Sequence, residues 1–253
     1  MTDVNYLAMP DPHLDPAVAA AYDDPNDEVN DPATIQCAVD FLAPLAERGT
    51  AVEFAVGTGR IALPLSETGV RVHGMDISEE MLKQFLQKPG ADVINVVAGD
   101  MTSLVMCEDA QLVYLVYNTI MNLRSQAQQV ACFRNAAAHL RPGGRFVVEV
   151  MVPEVAKLIP GERFVPFAVE DGYLGIDEYA DPLDQILISH HYVVEPGSER
   201  QVSAPFRYVW PSELDLMAQL AGLEREHRWA TWTGEPFTAA SQHHVSVWRK
   251  PTT

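Results

Sequence analysis

Three features of this sequence could do chemistry together, and each follows a different apolar run. Gly57-Thr58-Gly59 breaks off the run Ala51 to Val56, which also holds Glu53 and Ala55. Asp76 ends the run from Arg71, and Gly99-Asp100-Met101 follows Val93 to Ala98. Glycine in such a turn lets the backbone come close to a ligand, because no Cβ intervenes. A carboxylate ending the next run can accept both hydroxyls of a ribose. Asp100 can accept from an exocyclic amine while the Met101 backbone N–H donates to a neighbouring ring nitrogen. Together the three describe a site for an adenosine.

The glycine loop alone is less specific. Gly57-Thr58-Gly59-Arg60-Ile61-Ala62 also satisfies G-x-G-x-x-A, which would seat a dinucleotide pyrophosphate at a helix start, so an NAD(P)-binding oxidoreductase is the alternative. Asp76 follows Ala62 by 14 residues, closer than the ~20 of that fingerprint. The paired histidines His190-His191 and His243-His244 have no separated metal-ligand spacing, and no metal is expected.

These residues need elements to position them. Pro32 at the first turn, capped by Asp31, predicts a helix from Ala33 to Ala46. Strand, glycine turn and helix (Arg60 to Glu67) follow. The unit repeats with strand Arg71 to Asp76 and a Ser78-capped helix from Glu79 to Gln87. Leu112 to Tyr117 reads as a fourth strand. Ser125-Gln126-Ala127-Gln128 fits a capping box, and that helix should stop in a sharp turn at Arg141-Pro142-Gly143-Gly144, before strand Phe146 to Val150. Alternating strands and helices imply a doubly wound, mostly parallel α/β sheet. The rhythm changes after Pro153: Gln185 to Val194 and Gln201 to Val209 read as an antiparallel pair around a Pro196-Gly197-Ser198 turn. A helix from Pro211 to Ala221 and an antiparallel strand from His243 to Arg249 would complete the sheet.

Length and charge set the bounds. At 253 residues the chain can bury a sizeable core, and its net charge of −18 opposes nucleic acid and anionic membranes as partners. The first 47 residues contain no Lys or Arg, and their mixture of Asp and Pro reads as an extended arm. No run approaches the ~20 apolar residues of a membrane span. Cys37, Cys107 and Cys132 read as buried, reduced thiols, so a cytoplasmic protein is expected, as a monomer or homodimer.

The ordered set Val52-Glu53-Phe54-Ala55-Val56-Gly57-Thr58-Gly59-Arg60, Gly74-Met75-Asp76, Gly99-Asp100-Met101 and Leu140-Arg141-Pro142-Gly143-Gly144 resembles that of class I S-adenosylmethionine-dependent methyltransferases of the bacterial small-molecule type. The resemblance implies a seven-stranded Rossmann-like fold with a β-rich insertion after the fifth strand, S-adenosyl-L-methionine as cofactor, and a small-molecule methyl acceptor. It implies Glu53 and the Gly57–Gly59 loop beside the methionine part, Asp76 on the ribose, and Asp100 and Met101 on the adenine, with Ile77 a further cofactor-binding residue. Ala55 stands where the family commonly has Gly, which predicts a slightly wider loop. Tyr22-Asp23 resembles the pair with which an N-terminal segment folds over the cofactor, and Tyr117 ends the fourth strand at the acceptor's edge of the crevice. His191, on the more polar strand face with Ser189, is the candidate base for a hydroxyl acceptor. Residues 1–34 are expected to be the lid, 35–152 the cofactor core, 153–206 the substrate-side insertion and 207–253 the completion of the sheet. The aromatics of that last part, Trp210, Trp229, Trp232 and Phe237, are expected chiefly to pack the core.

Overall fold

Strands covered on both faces must be apolar almost throughout, and the run Ala110–Leu115 is buried at every position. The computed structural model describes residues 6–25, 27–195 and 198–252. Its central strands are β1 (Thr50–Phe54), β2 (Arg71–Asp76), β3 (Asn95–Ala98), β4 (Ala110–Leu115) and β5 (Leu140–Met151). They are joined through helices α2 (Pro32–Ala46, leading into β1), α3 (Ala62–Glu67), α4 (Glu79–Phe85) and α5 (Gln126–His139). The seven-stranded sheet has the order β10-β11-β5-β4-β1-β2-β3, where β10 is Glu224–Trp229 and β11 is His243–Arg249. Strand β11 runs antiparallel to both of its neighbours, β10 and β5, and the other strand pairs of this sheet are parallel. Chain direction across the sheet reverses between β1 and β4, which opens a crevice beyond their carboxyl ends.

Two cores flank the sheet. Phe54, Phe133, Phe146 and Trp248 pack on the α5 side, with α6 (Pro211–Leu220); Leu42, Leu65, Phe85, Leu112 and Tyr114 pack on the α2–α3 side. After β5 a separate antiparallel sheet is inserted, in the order β6-β7-β8-β9: Phe164–Glu170, Tyr173–Asp181, Ile186–Glu195 and Ser198–Arg207. Its Val165, Tyr179 and Leu187 join the α5-side core. Of the expected turn between β8 and β9, Pro196 and Gly197 lie outside the described residues.

The acidic arm is not extended. It folds into α1 (Pro16–Ala21) and three short 3-10 turns, because its Asp-Pro pairs act as caps: Asp11 accepts from the His13 amide and Asp15 from that of Ala17, each followed by Pro at the first helical position. Asp31-Pro32 starts α2 in the same way. Arg141 to Gly144 is not a sharp turn either; β5 begins at Leu140 and takes up the glycines as a register shift against β4. Strands β6, β7 and β10 carry no clean apolar alternation and escape sequence reading. Cys132 is buried, but Cys37 and Cys107 are half-buried. No helix among the described residues is long and apolar enough to cross a membrane.

Two buried histidines are held neutral. His139 Nδ1 bonds the Asn135 carbonyl and its Nε2 accepts from the Met106 amide; burial lowers its pKa. His244 bonds Ser246 through Nδ1, its Nε2 has no partner among the described residues, and burial, with Arg228 and His243 nearby, lowers its pKa to about 3. The unfolded chain therefore binds more protons below its ordinary histidine range of ~6.5. Stability is complete above that pH and falls by up to about 1.4 kcal/mol per pH unit for each ring as the pH drops through 6.5 toward its folded value. Urea unfolding at pH 7.5 and 5.0 measures the slope, and His244→Gln is expected to make it shallower; an equal slope would contradict the account.

Candidate functional site

The loop after β1 is shaped by one carboxylate. Asp76, at the end of β2, accepts from the Gly57 amide at 2.7 Å and from the Ser78 amide at 2.8 Å, joining the first and second strand–helix connections. It is 7% exposed, and burial raises its pKa while the two amides oppose that rise. Gly57 sits at φ +54°, and a Cβ there would meet nothing within 4 Å, so its backbone faces open space. Gly59, at φ +87°, differs: a Cβ would lie 2.5 Å from the Phe85 ring, so this glycine packs the loop onto α4. Ile77 beside Asp76 leaves a large apolar surface exposed. Ala55 also adopts a left-handed φ of +52°, a conformation suited to the glycine it replaces.

Beneath the loop, Glu53 is buried and accepts from the Tyr114 hydroxyl at 3.0 Å. It also bonds the Ala62 amide at the start of α3, a helix with no side-chain cap of its own. Burial outweighs these partners and Arg60, and pushes the carboxyl up to about 8.

Across the crevice, exposed Asp100 accepts from the Thr102 amide at 2.7 Å, and Met101 lies buried behind it. Asn135 on α5 fixes this loop by donating to the Met101 and Leu104 carbonyls at 2.9 and 2.8 Å.

The arm lies over the same edge. Asp23 accepts from the Thr58 hydroxyl at 2.6 Å and pairs with Lys88 at 2.7 Å, and Ser78 donates to the His13 carbonyl at 2.8 Å. Arg60 donates to the Val29 carbonyl, and Arg124 holds the Met9 and Pro10 carbonyls. Tyr22 packs edge-on against His13; burial raises its hydroxyl pKa, Arg60 lowers it and Asp76 raises it.

Tyr117 and Asn118 are both left-handed, at φ +51° and +59°. Strand β5 holds them there: Glu149 accepts from the Tyr117 amide at 2.9 Å, and Asn118 accepts from the Met151 amide at 2.7 Å. The same Glu149 accepts from the Trp232 indole at 2.8 Å. The turn sets the Tyr117 ring 5.2 Å from the Arg60 guanidinium.

The insertion carries a polar row of its own. Tyr173, Asp177, Ser189 and His191 share one face of its sheet, while His190 points the other way to Glu178 and Ser203. His191 Nδ1 meets the Tyr173 hydroxyl at 2.7 Å and Nε2 meets Ser189 Oγ at 3.3 Å, so both ring nitrogens are engaged. The Asp27 carboxylate acts on Tyr22, Tyr117, Tyr173 and His191 alike, so arm, core and insertion converge on it.

The glycine loop, Asp76 with Ile77, Asp100 with Met101, and Tyr117 thus lie at or just after the carboxyl ends of β1, β2, β3 and β4, with Glu53 and Ala55 at the end of β1 and Tyr22 of the arm within electrostatic reach of Asp76 and Arg60. Sequence reading missed Arg60, Asp27, Asn135, Glu149, Tyr173 and Asp177. A lone Asn in a helix or Glu in a strand carries no signal, whereas Arg60 inside the glycine motif could have been noticed. Of the tail aromatics, Trp232 packs on Phe41 and Phe237 on His244, as core aromatics do.

Residues 51–144 match the family model described as a methyltransferase domain. The solved structure of the CcbJ methyltransferase from Streptomyces caelestis is 36% identical, covers 92% of this chain and 96% of its own, and superposes with a TM-score of 0.83. The cypemycin N-terminal methyltransferase of a Streptomyces species is 28% identical over 94% of this chain and 98% of its own length. S-adenosylmethionine-bound CalS10, an amino pentose methyltransferase from Micromonospora echinaspora, shares the fold at 19% identity and a TM-score of 0.67, covering 92% of this chain and 96% of its own.

Relieving the left-handed alanine gives a direct expectation. Ala55→Gly should stabilise the protein by about 1 kcal/mol, a rise in Tm of about 2–4 °C, after the entropy cost of glycine is subtracted. Calorimetric melting measures it; a lower Tm would show that the alanine side chain contributes more by packing than its φ costs.

Proposed function

This chain belongs to the class I S-adenosylmethionine-dependent methyltransferases, and on that premise we propose that it methylates an amine of a small molecule. Family membership replaces the dinucleotide reading of the glycine loop. The cofactor, when bound, supplies a methyl group on a sulfonium whose departure leaves a neutral thioether. The protein's part is to hold the acceptor's lone pair in line behind that methyl and to exclude water, and well-oriented reactants reach effective molarities of ~10⁵–10⁸ M.

What supports the reading is that Asp76 holds the glycine loop, that Asp23 of the folded arm bonds the same loop, and that Tyr22, Tyr117 and Tyr173 all lie within electrostatic reach of the Asp27 carboxylate. Tyrosine faces and a carboxylate attract a cationic amine through quadrupole and charge. Among the similar proteins are a cypemycin N-terminal methyltransferase, an amino pentose methyltransferase and a glycopeptide N-methyltransferase, names that specify an N-terminus, an amino sugar and a nitrogen acceptor. In this assignment Asp76 accepts the ribose hydroxyls with the oxygen lone pairs its amide bonds leave free. Ile77, Asp100 and Met101 receive the adenine. Gly57 and Glu53 lie nearest the methionine part, Gly59 shapes the loop for it, and Tyr22 and Tyr117 close over the sulfonium. The 153–206 insertion selects the acceptor.

Labelled S-adenosylmethionine, incubated with a panel of amino sugars and peptides bearing free N-termini, should deliver label to at least one amine; label transferred only to hydroxyl or carbon acceptors would refute the amine reading. Asp76→Ala should weaken cofactor binding at least about 10-fold, since a hydrogen bond to a charged group contributes about 1.5–3 kcal/mol. Calorimetric affinity equal to wild type would remove the ribose assignment. Glu53 gives a pH signature: with its carboxyl near 8 in the free protein, a cationic ligand beside it lowers that value and releases a proton. Cofactor affinity is therefore expected to rise with pH up to about 8, and calorimetry in buffers of different ionisation enthalpy should detect the proton; Glu53→Gln should abolish the release.

A further inference from the structure

The inner face of the inserted sheet carries four hydrogen-bonding side chains in an unbroken row. Tyr173, Gly175 and Asp177 alternate along β7, opposite Val193, His191 and Ser189 of β8. The Tyr173 hydroxyl lies 2.7 Å from His191 Nδ1, His191 Nε2 lies 3.3 Å from Ser189 Oγ, and Ser189 stands directly across the strand pair from Asp177, whose carboxylate it favours in the ionised form. The order of donors is dictated by chemistry. Asp177 can only accept while ionised, so Ser189 donates to it and accepts from His191 Nε2–H; His191 Nδ1 is then bare and accepts from Tyr173. Gly175, opposite His191, keeps the row compact. A Cβ there would lie 2.2 Å from the Phe167 ring, which packs edge-on against His191 at 5.5 Å.

Both imidazole nitrogens are engaged and Ser189 is buried, whereas the Tyr173 hydroxyl, at the end of the row, lies within electrostatic reach of the Asp27 carboxylate and keeps a lone pair beyond its bond to His191. Amines of ordinary basicity arrive as ammonium ions, whose nitrogen has no lone pair for attack. Resting on the amine reading above, we propose that Tyr173, His191, Ser189 and Asp177 form a proton relay that carries the acceptor's proton out of the crevice to the Asp177 carboxylate.

The step balances. The ammonium N–H proton passes to the Tyr173 oxygen as the Tyr173 proton passes to Nδ1; the Nε2 proton passes to Ser189 Oγ, and the Ser189 proton passes to Asp177. The nitrogen keeps the electron pair of its broken bond, Asp177 becomes a neutral acid, and the three middle groups stay neutral with their hydrogen bonds reversed. The freed pair then forms the C–N bond while the electrons of the C–S bond remain on sulfur. In this scheme Tyr173 touches the acceptor, and His191, Ser189 and Asp177 act through it.

The charges around the row suit the direction. Burial, with Glu154 nearby and Ser189 and His190 opposing, raises Asp177 to about 6, so it is ionised at neutral pH yet ready to take a proton. Burial, with His190, keeps the His191 pKa low against the opposing pull of Asp27, so the ring is neutral and can pass a proton on. On the other face, Glu178 bonds His190 and pairs with Arg163 and does not enter the row.

The test is ¹⁵N NMR of histidine-labelled full-length protein, read in wild type, Tyr173→Phe and Asp177→Asn, with cofactor affinity measured as a control. At pH 7.5 His191 is expected as the neutral Nε2–H tautomer. Tyr173→Phe should raise its titration midpoint, because the bond to bare Nδ1 favours the neutral ring; Asp177→Asn should lower it, because a negative charge is lost. A Nδ1–H tautomer, or midpoints indifferent to both substitutions, would overturn the relay whether or not an acceptor has been found. With the amine identified by labelling, both variants should lose at least 10-fold in kcat at unchanged cofactor affinity, and Asp177→Asn should also lose the acid limb near pH 6. Wild-type kcat with an intact acid limb would equally overturn it, while absence of any amine methylation alongside the expected spectra would fault the acceptor reading alone.

Discussion

The Asp76 carboxylate ties two backbone amides from separate connections, Gly57 after β1 and Ser78 before α4, and the crevice takes its shape from that pair of bonds. Strands β1 and β2 are parallel neighbours, so their carboxyl ends emerge side by side and a single short acid can span the gap. Burial makes this carboxylate costly to ionise, and two amide donors offset the cost. The loop is thereby fixed before any ligand arrives. Glu53 supports it from below by capping α3, while Ala55 accepts a left-handed strain at the bend.

Upon that frame the arm is fastened by polar contacts rather than by a large apolar face. Asp23 links Thr58 to Lys88, Arg60 links Val29 to the Tyr117 ring, and Ser78 links α4 to His13. Few of the arm's residues are buried, Ala19 and Val29 among them. The polar contacts are part-buried hydrogen bonds and one partly exposed ion pair, and exposed pairs of that kind contribute about 0–1 kcal/mol each.

The insertion is built on the opposite principle. Val165, Tyr179 and Leu187 share the core of the main sheet, and buried Arg207 joins Gln129, Gln185 and Glu213 in one network. The insertion's polar face is therefore fixed relative to the main sheet.

The sequence by itself determined the parallel sheet, the capping of α2, α4 and α5, the glycine loop and the order of carboxylates along it. Those follow from apolar runs, local caps and strand ends, which are properties of neighbouring residues. It also held the Asp-Pro caps, though their proline content reads as extended chain until the caps are counted one by one. Only the tertiary structure decided that Glu149 should hold the Tyr117 turn, that Asn135 should pin the Asp100 loop, and that His191 should have both nitrogens occupied. Strands β6 and β7 have faces of mixed burial, so no alternation marks them. Each of these depends on side chains far apart in the chain meeting at one distance, and pairing of that kind leaves no periodic trace in a single sequence.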